Sequence, residues 1–324
     1  MKAVVQDRYG EVDVLSVRDI EEPVPGDDEV LIRVRAAGVD PGIWHLMTGR
    51  PYLVRLMGFG LRVPKVRIRG RDVAGTVHAV GKGVTEVKPG DDVYGTVEGS
   101  FAELACAAAT RFAPKPGNLT FEQAAAVPIS GMSALVAVRD RGGVQPAQRV
   151  LVVGAGGGVG SFAVQVAKAM GARVTGVCSP AKAQLVRGIG ADDVIDYTRD
   201  DFTDGRRPWD LIIDTAGRRP LSRMRRALAA DGVLVIVGGE GGGRWLGGFQ
   251  RQLGAPVRSL RGKQKLIGLM YRESQDLLLA LTELIEAGKV TPVIDRTYPL
   301  SQAAEAISYL EQGHAAGKIV LTVP

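Results

Sequence analysis

Cysteine is nearly absent from this chain: Cys106 and Cys178 are the two among 324 residues. They are too few and too far apart for a disulfide framework, which points to a reducing, cytoplasmic setting. Aromatic residues make up only 5%. No apolar run reaches the roughly 18 residues that cross a bilayer, so no membrane span is expected, and nothing reads as a signal peptide. Lys and Arg outnumber Asp and Glu by 41 to 35, a net charge of +6, but the basic residues are scattered apart from Arg67, Arg69, Arg71 and the stretch 218–226. Without a basic stripe interleaved with aromatics, nucleic acid is an unsuitable partner, and the charge reads as weak steering for an anionic cofactor. There is neither an internal repeat nor a low-complexity tract. The length suffices for two domains, and the 45% hydrophobic content is ordinary for a globular protein.

Glycine, by contrast, is plentiful at 43 residues, and its densest run decides the reading. Val150-Leu151-Val152-Val153-Gly154-Ala155-Gly156-Gly157-Gly158-Val159-Gly160 passes at once into Val159, Phe162, Ala163, Val166, Ala167 and Met170, apolar residues at helical spacing. That order is strand, tight turn, helix. Gly157 lets the backbone approach a pyrophosphate, Gly160 lets the helix pack closely on the strand, and the helix N-terminus offers unpaired N–H groups to phosphates. Ala155 stands where the first glycine of G-x-G-x-x-G would be. The cofactor-binding candidates here are Ala155, Gly156, Gly157, Gly158, Val159 and Gly160.

A glycine-rich surface loop would look similar, so the continuation matters. A second strand ends at Cys178, a helix is expected over 181–189, a third strand over 193–197, a fourth over 209–215, a helix over 221–229, a fifth strand over 232–239 and a sixth over 266–270. Six strands alternating with helices make a doubly wound parallel sheet. An NAD site wants an Asp or Glu at the end of the second strand to accept from the ribose hydroxyls, and none stands in Val177-Cys178-Ser179-Pro180-Ala181-Lys182. Ser179, the helix start after Pro180 and Lys182 suit a phosphate, which favours NADPH. The plainer alternative makes Ser179-Pro180 a helix start and Lys182 a solvated lysine.

The first third consists of short runs between Pro and Gly turns, over 1–5, 29–39, 73–81 and 92–95, which read as strands of a small, mostly antiparallel barrel. Thr120 and Gln123 have capping-box spacing, and the helix they open leads into the nucleotide domain. After Met270 come a helix over 273–287, an extended segment over 293–299, a helix over 302–312 and a strand over 318–323.

Several ordered matches carry a resemblance over essentially the whole chain: Tyr9-Gly10 with Val14-Leu15, Ala36-Ala37-Gly38-Val39-Asp40-Pro41, Gly70-Arg71-Asp72-Val73-Ala74-Gly75, Val87-Lys88-Pro89-Gly90-Asp91-Asp92-Val93-Tyr94-Gly95, Gly99-Ser100-Phe101-Ala102-Glu103, the glycine turn, and residues 313–321. The chain resembles the medium-chain dehydrogenases/reductases, and within them the zinc-independent quinone oxidoreductases of the zeta-crystallin-like and reticulon-4-interacting-protein-like kind. The resemblance implies an α/β protein with a GroES-like, mostly antiparallel β-barrel catalytic domain over 1–123 and 271–324, and a six-stranded Rossmann domain over 124–270. It further implies a cleft between them, hydride transfer from a nicotinamide, and homodimers or tetramers joined through the last Rossmann strand, a homodimer being favoured. Tyr197 and Gly238 join the cofactor set by likeness, and Lys318 is implied at the cofactor pyrophosphate, a surface lysine being the alternative.

Zinc is disfavoured. The positions that match the superfamily's first two catalytic ligands hold Asp40 and Arg71, and no cysteine lies near 128–131, where the third would fall. Asp40 and Arg71 are expected to pair with each other in the core. Lacking a Lewis acid, the chain is better suited to reducing an electron-poor acceptor than to oxidising a plain alcohol. The catalytic candidates are Tyr52, His45 and Asp40; Tyr52 and His45 can donate a proton or hydrogen bond to a developing enolate oxygen, while a packed helix residue is the alternative for His45. The segment 52–65, rich in Leu, Val, Met and Phe, reads as a wall of the pocket for a hydrophobic small-molecule acceptor. Cys106 reads as core. Three functions stay open: an NADPH-dependent reductase of quinones or activated alkenes, a metal-free carbonyl/alcohol oxidoreductase, and a non-catalytic NADPH-binding protein.

Overall fold

The computed structural model describes residues 1–239, 243–259 and 262–324. Two compact units form, one from Met1–Met132, Glu273–Glu286 and Pro292–Pro324, the other from Ser133–Arg272 and Ala287–Thr291.

The first unit opens with β1 (Lys2–Gln6) paired to β2 (Leu15–Asp19), followed by β3 (Glu29–Val39), α1 (Pro41–Thr48), β4 (Asp72–Val80), β5 (Asp92–Thr96), β6 (Leu104–Ala108), β7 (Phe112–Pro114), α2 (Phe121–Ala125) and α3 (Pro128–Leu135). Strand β3 is its spine. At eleven residues it is long enough to pair β4 along its length, β6 through its first half and β15 (Lys318–Thr322) through its last residues, all antiparallel. Register shifts along β3 and β4 bend the ladder, as bulges do, so that the sheet curls over a core of Ile32, Val34, Val73, Val93, Phe101, Phe112, Ile319 and Leu321. The mostly antiparallel, GroES-like reading therefore holds.

The capping box at Thr120 forms in both directions: the Gln123 N–H donates to Thr120 Oγ1, and the Thr120 N–H donates to Gln123 Oε1. Helix α2 packs on β3 and β4, so residues 124–132 fold with the first unit. The compact unit thus runs nine residues past the boundary expected after residue 123, and Ala124 and Ala125 are buried.

The second unit contains β8 (Arg149–Val153), α4 (Gly158–Ala169), β9 (Arg173–Cys178), α5 (Ala183–Gly188), β10 (Asp193–Asp196), β11 (Trp209–Asp214), α6 (Leu221–Arg226), β12 (Leu228–Ile236), α7 (Phe249–Ser259) and β13 (Lys265–Gly268). The strands are all parallel in the order β10-β9-β8-β11-β12-β13, so the winding reverses between β8 and β11. Ligands of such sheets bind beyond the strands' carboxyl ends at that reversal. Two expected helices are shorter than their patterns suggest. The one over 221–229 ends at Arg226 because Leu228 already pairs with Trp209, and the one over 181–189 divides into a 3-10 turn, Pro180–Lys182, followed by α5.

The chain returns to the first unit through α8 (Gln275–Glu286), β14 (Ile294–Pro299), α9 (Ala303–Glu311) and β15, with β14 parallel to β15. Among the described residues no helix is long and apolar enough to cross a membrane.

Candidate functional site

Strand β8 ends in a turn that only glycine can make. Gly154 has φ 83°, and its N–H and that of Ala155 both donate to the Val177 carbonyl, at 3.0 and 3.1 Å, which ties the turn to β9. A Cβ on Gly160 would lie 2.1 Å from the Gly154 oxygen, so α4 can pack this closely only without one. Gly157 differs: a Cβ there would meet nothing nearer than the Gly154 oxygen at 3.4 Å. The backbone at Gly157 is therefore open on its outer side, and no side chain caps α4, whose first residues are Gly158 and Val159. An open backbone in front of an uncapped helix N-terminus fits a dinucleotide's diphosphate. Ala155 is fully buried, 3.0 Å from where a Cβ on Gly176 would stand. The turn-making glycine is Gly154, which sequence reasoning passed over, although its place directly after the apolar run marked it.

Lys182 lies over this turn. A Cβ on Gly156 would come within 2.8 Å of Lys182 Cδ and 2.9 Å of its Cβ, so the lysine stem packs against the glycine backbone. Ser179 precedes the 3-10 turn, and its side chain makes no cap. Tyr197, just past β10, is 45% exposed. Gly238, past β12, donates its N–H to the Asp214 carbonyl at 3.3 Å. These residues gather at the carboxyl edge of the parallel sheet. Asp214 and Arg251 belong there too, although the sequence did not single them out. Asp214 is 1% exposed and accepts from the Gly217 N–H at 2.9 Å and from Arg251 Nη2 at 2.7 Å, while Arg251 Nε and Nη1 are buried with no partner among the described residues.

In the first unit, Asp40 is the N-cap of α1: its Oδ1 accepts from the Gly42 N–H at 2.7 Å, Pro41 follows at the first helical position, and Oδ2 is buried with no partner among the described residues. The expected Asp40–Arg71 pair does not form. Arg71 instead reaches Glu273 at 2.8 Å and Glu98 at 3.4 Å, and Glu273 also holds Arg111 at 2.8 Å. Two carboxylates beside the guanidinium compete better than one already used as a helix cap. His45, on α1, has Nδ1 2.8 Å from the Arg50 carbonyl and its ring edge-on to Trp44. A carbonyl only accepts, so Nδ1 carries the proton and Nε2 is the exchangeable position. Half-buried Tyr52 follows closely, with the Arg55 guanidinium 5.0 Å from its ring centroid and 4.2 Å from that of Tyr9. Arg55 thus organises the region through two aromatic faces and a bond from Nε to the Gly49 carbonyl, a role no spacing rule exposes.

Lys318 is a further correction. It is 2% exposed, and its Nζ donates to Asp72 Oδ2 at 2.9 Å and to Ser130 Oγ at 3.1 Å. The ammonium is committed to a buried ion pair and is neither a surface group nor free for a pyrophosphate. Cys106 is half-buried, and burial with Glu29 nearby pushes its thiol up to about 12, so it is unreactive at neutral pH.

Zinc does not fit these residues. A capping carboxylate and an ion-paired arginine offer no tetrahedral donor set, and among the described residues no three His, Cys, Asp or Glu side chains gather.

Residues 26–117 match the family described as alcohol dehydrogenase GroES-like domain, and residues 189–321 match the one described as zinc-binding dehydrogenase. NAD(P)H oxidoreductase RTN4IP1, mitochondrial, of Bos taurus is 34% identical, the match spanning 100% of this chain and 89% of the relative. NADPH-dependent alkenal/one oxidoreductase, chloroplastic, of Arabidopsis thaliana is 33% identical over 99% of this chain and 79% of its own. The structure of the quinone oxidoreductase from Coxiella burnetii superposes with a TM-score of 0.87 at 28% identity, covering 100% of this chain and 99% of that one. With its glycine turn, its curled antiparallel unit and these matches along its whole length, the chain belongs to the medium-chain dehydrogenase/reductase superfamily, in the branch that holds RTN4IP1 and the quinone oxidoreductases.

Proposed function

We propose that this chain is an NADPH-dependent oxidoreductase that delivers hydride to a quinone or to a carbon–carbon double bond conjugated to a carbonyl, without catalytic zinc. The observation that carries the reading is the open glycine turn with Lys182 laid across it. Relatives named as an NAD(P)H oxidoreductase and an alkenal/one oxidoreductase support it, as does a solved relative named as a quinone oxidoreductase. When bound, the reduced nicotinamide supplies the hydride.

The chain's own groups do the rest. Backbone N–H groups of Gly158, Val159 and Gly160 would hold the diphosphate, and Gly157 would leave its approach clear. The end of β9 offers Ser179 and Lys182 where an NAD site would place a carboxylate, which suits a 2′-phosphate. As the acceptor is reduced, charge grows on its oxygen, and a donor about 2.7–3.1 Å away stabilises it. The Tyr52 phenol has an O–H to donate. His45 donates from Nε2 only as imidazolium, because Nδ1 is held by the Arg50 carbonyl. Tyr52 is therefore the better donor. Both cysteines are unpaired, which suits a reducing, cytoplasmic compartment, and a homodimer is the assembly the family pattern favours.

The test is NADPH oxidation against a panel of quinones, enones, aldehydes and alcohols. Lys182→Ala should weaken NADPH binding by about 1–2 kcal/mol and leave NADH nearly unaffected, and Tyr52→Phe should slow turnover about tenfold with NADPH affinity unchanged. No turnover with any acceptor, or equal loss for both cofactors, overturns the proposal.

A further inference from the structure

Residues 41–71 include seven Lys and Arg side chains and no Asp or Glu. Within that stretch the segment 55–65 turns large apolar side chains outward: Leu56, Met57, Leu61 and Val63 are 67, 52, 66 and 57% exposed. Phe59 and Val66 instead face inward, onto a small concavity shared with Ile43 and Leu46. The whole of 52–65 is expected from its sequence to wall an acceptor pocket, whereas Leu56, Met57, Leu61 and Val63 face solvent and Phe59 lines the concavity.

The outward face is built into the backbone. The Tyr9 hydroxyl shares its proton between the carbonyls of Phe59, at 2.9 Å, and Gly60, at 2.6 Å, and the Lys65 N–H donates to the Phe59 carbonyl at 2.9 Å. Gly60 has φ 110°, and a Cβ there would lie 2.0 Å from the Val63 carbonyl oxygen. The Arg55 guanidinium on the Tyr9 ring fixes the other side of the loop. Clustered apolar side chains held outward in this way mark an interaction surface.

The charge around the tip identifies its partner. Arg62 and Lys65 are exposed and have no ion-pair partner among the described residues. Arg50 and Arg67, also solvent-accessible, are bonded to Glu11 and Asp7. An apolar tip flanked by these two cations, Arg62 and Lys65, complements a surface with an apolar interior and an anionic rim. A second copy of the chain would bring the same cations face to face, which disfavours self-association.

We propose that the loop over 56–65 docks on an anionic lipid surface. Leu56, Met57, Leu61 and Val63 enter the boundary between headgroups and acyl chains, and Arg62 and Lys65 meet the lipid phosphates. The contact is peripheral and concerns the first unit alone.

Flotation with lipid vesicles tests this on the full chain. Vesicles of phosphatidylcholine are compared with vesicles containing about one third phosphatidylserine, and binding to the anionic ones should be about tenfold stronger and should fall in roughly half-molar salt. The double variants Leu56→Ser/Met57→Ser and Arg62→Glu/Lys65→Glu should each reduce that binding about tenfold. Their melting temperatures and NADPH affinities should match those of the parent, since the replaced side chains are exposed. Equal binding to both vesicle types overturns the proposal, as do variants that bind like the parent. So does a concentration-dependent dimer, without vesicle binding, that Leu56→Ser/Met57→Ser abolishes.

Discussion

Lys318 shows what one residue gains from a partner far along the chain. Its ammonium is bonded to Asp72, 246 positions away, and both are almost wholly buried. Asp72 also accepts from the Ile129 N–H at 2.9 Å, so one carboxylate ties β15 to the start of α3. Leaving a buried charge without its partner costs about 3–5 kcal/mol, so Asp72→Leu should lower stability on that scale in urea titration. The double variant Asp72→Leu/Lys318→Met, which removes both charges, should recover most of the loss. A lysine after Gly317 at the head of a strand gave no local hint of this, because the pair depends on β15 lying beside β3, whose other neighbour β4 begins with Asp72.

At the scale of elements, the glycine turn and α1 show two grades of legibility. Gly157 and Gly160 were readable because their roles are steric and local, one open to a ligand and one closed against the Gly154 oxygen. Gly160→Ala should force α4 away from β8, abolishing measurable NADPH binding and lowering the melting temperature; an unchanged affinity would contradict the packing. Asp40 was legible as a residue that matters but not as a helix cap. Its expected partner, Arg71, turned out to belong to Glu273 and Glu98. Asp40→Ala should cost about 1 kcal/mol by chemical denaturation, and Asp40→Asn, which keeps an acceptor for the Gly42 N–H, much less. Asp214 and Arg251 had no readable pattern at all, since their bond joins the end of β11 to a helix 37 positions later.

For the molecule as a whole, the superfamily's metal chemistry is the feature its residues decline. With Asp40 capping α1 and Arg71 held between two carboxylates, purified protein should contain no stoichiometric zinc by elemental analysis, and a chelator should leave NADPH oxidation intact. Activity restored by zinc alone would contradict this. The sequence by itself determined the parallel six-stranded sheet, the dinucleotide turn and the antiparallel first unit. Hydrophobic period, glycine geometry and capping act over a few residues and are written where they act. Only the tertiary structure decided that Lys318 pairs with Asp72, that residues 124–132 stay with the first unit, and that Leu56, Met57, Leu61 and Val63 face outward while Phe59 and Val66 face in. Each of those outcomes depends on which surfaces meet after long loops close, and no local pattern carries that information.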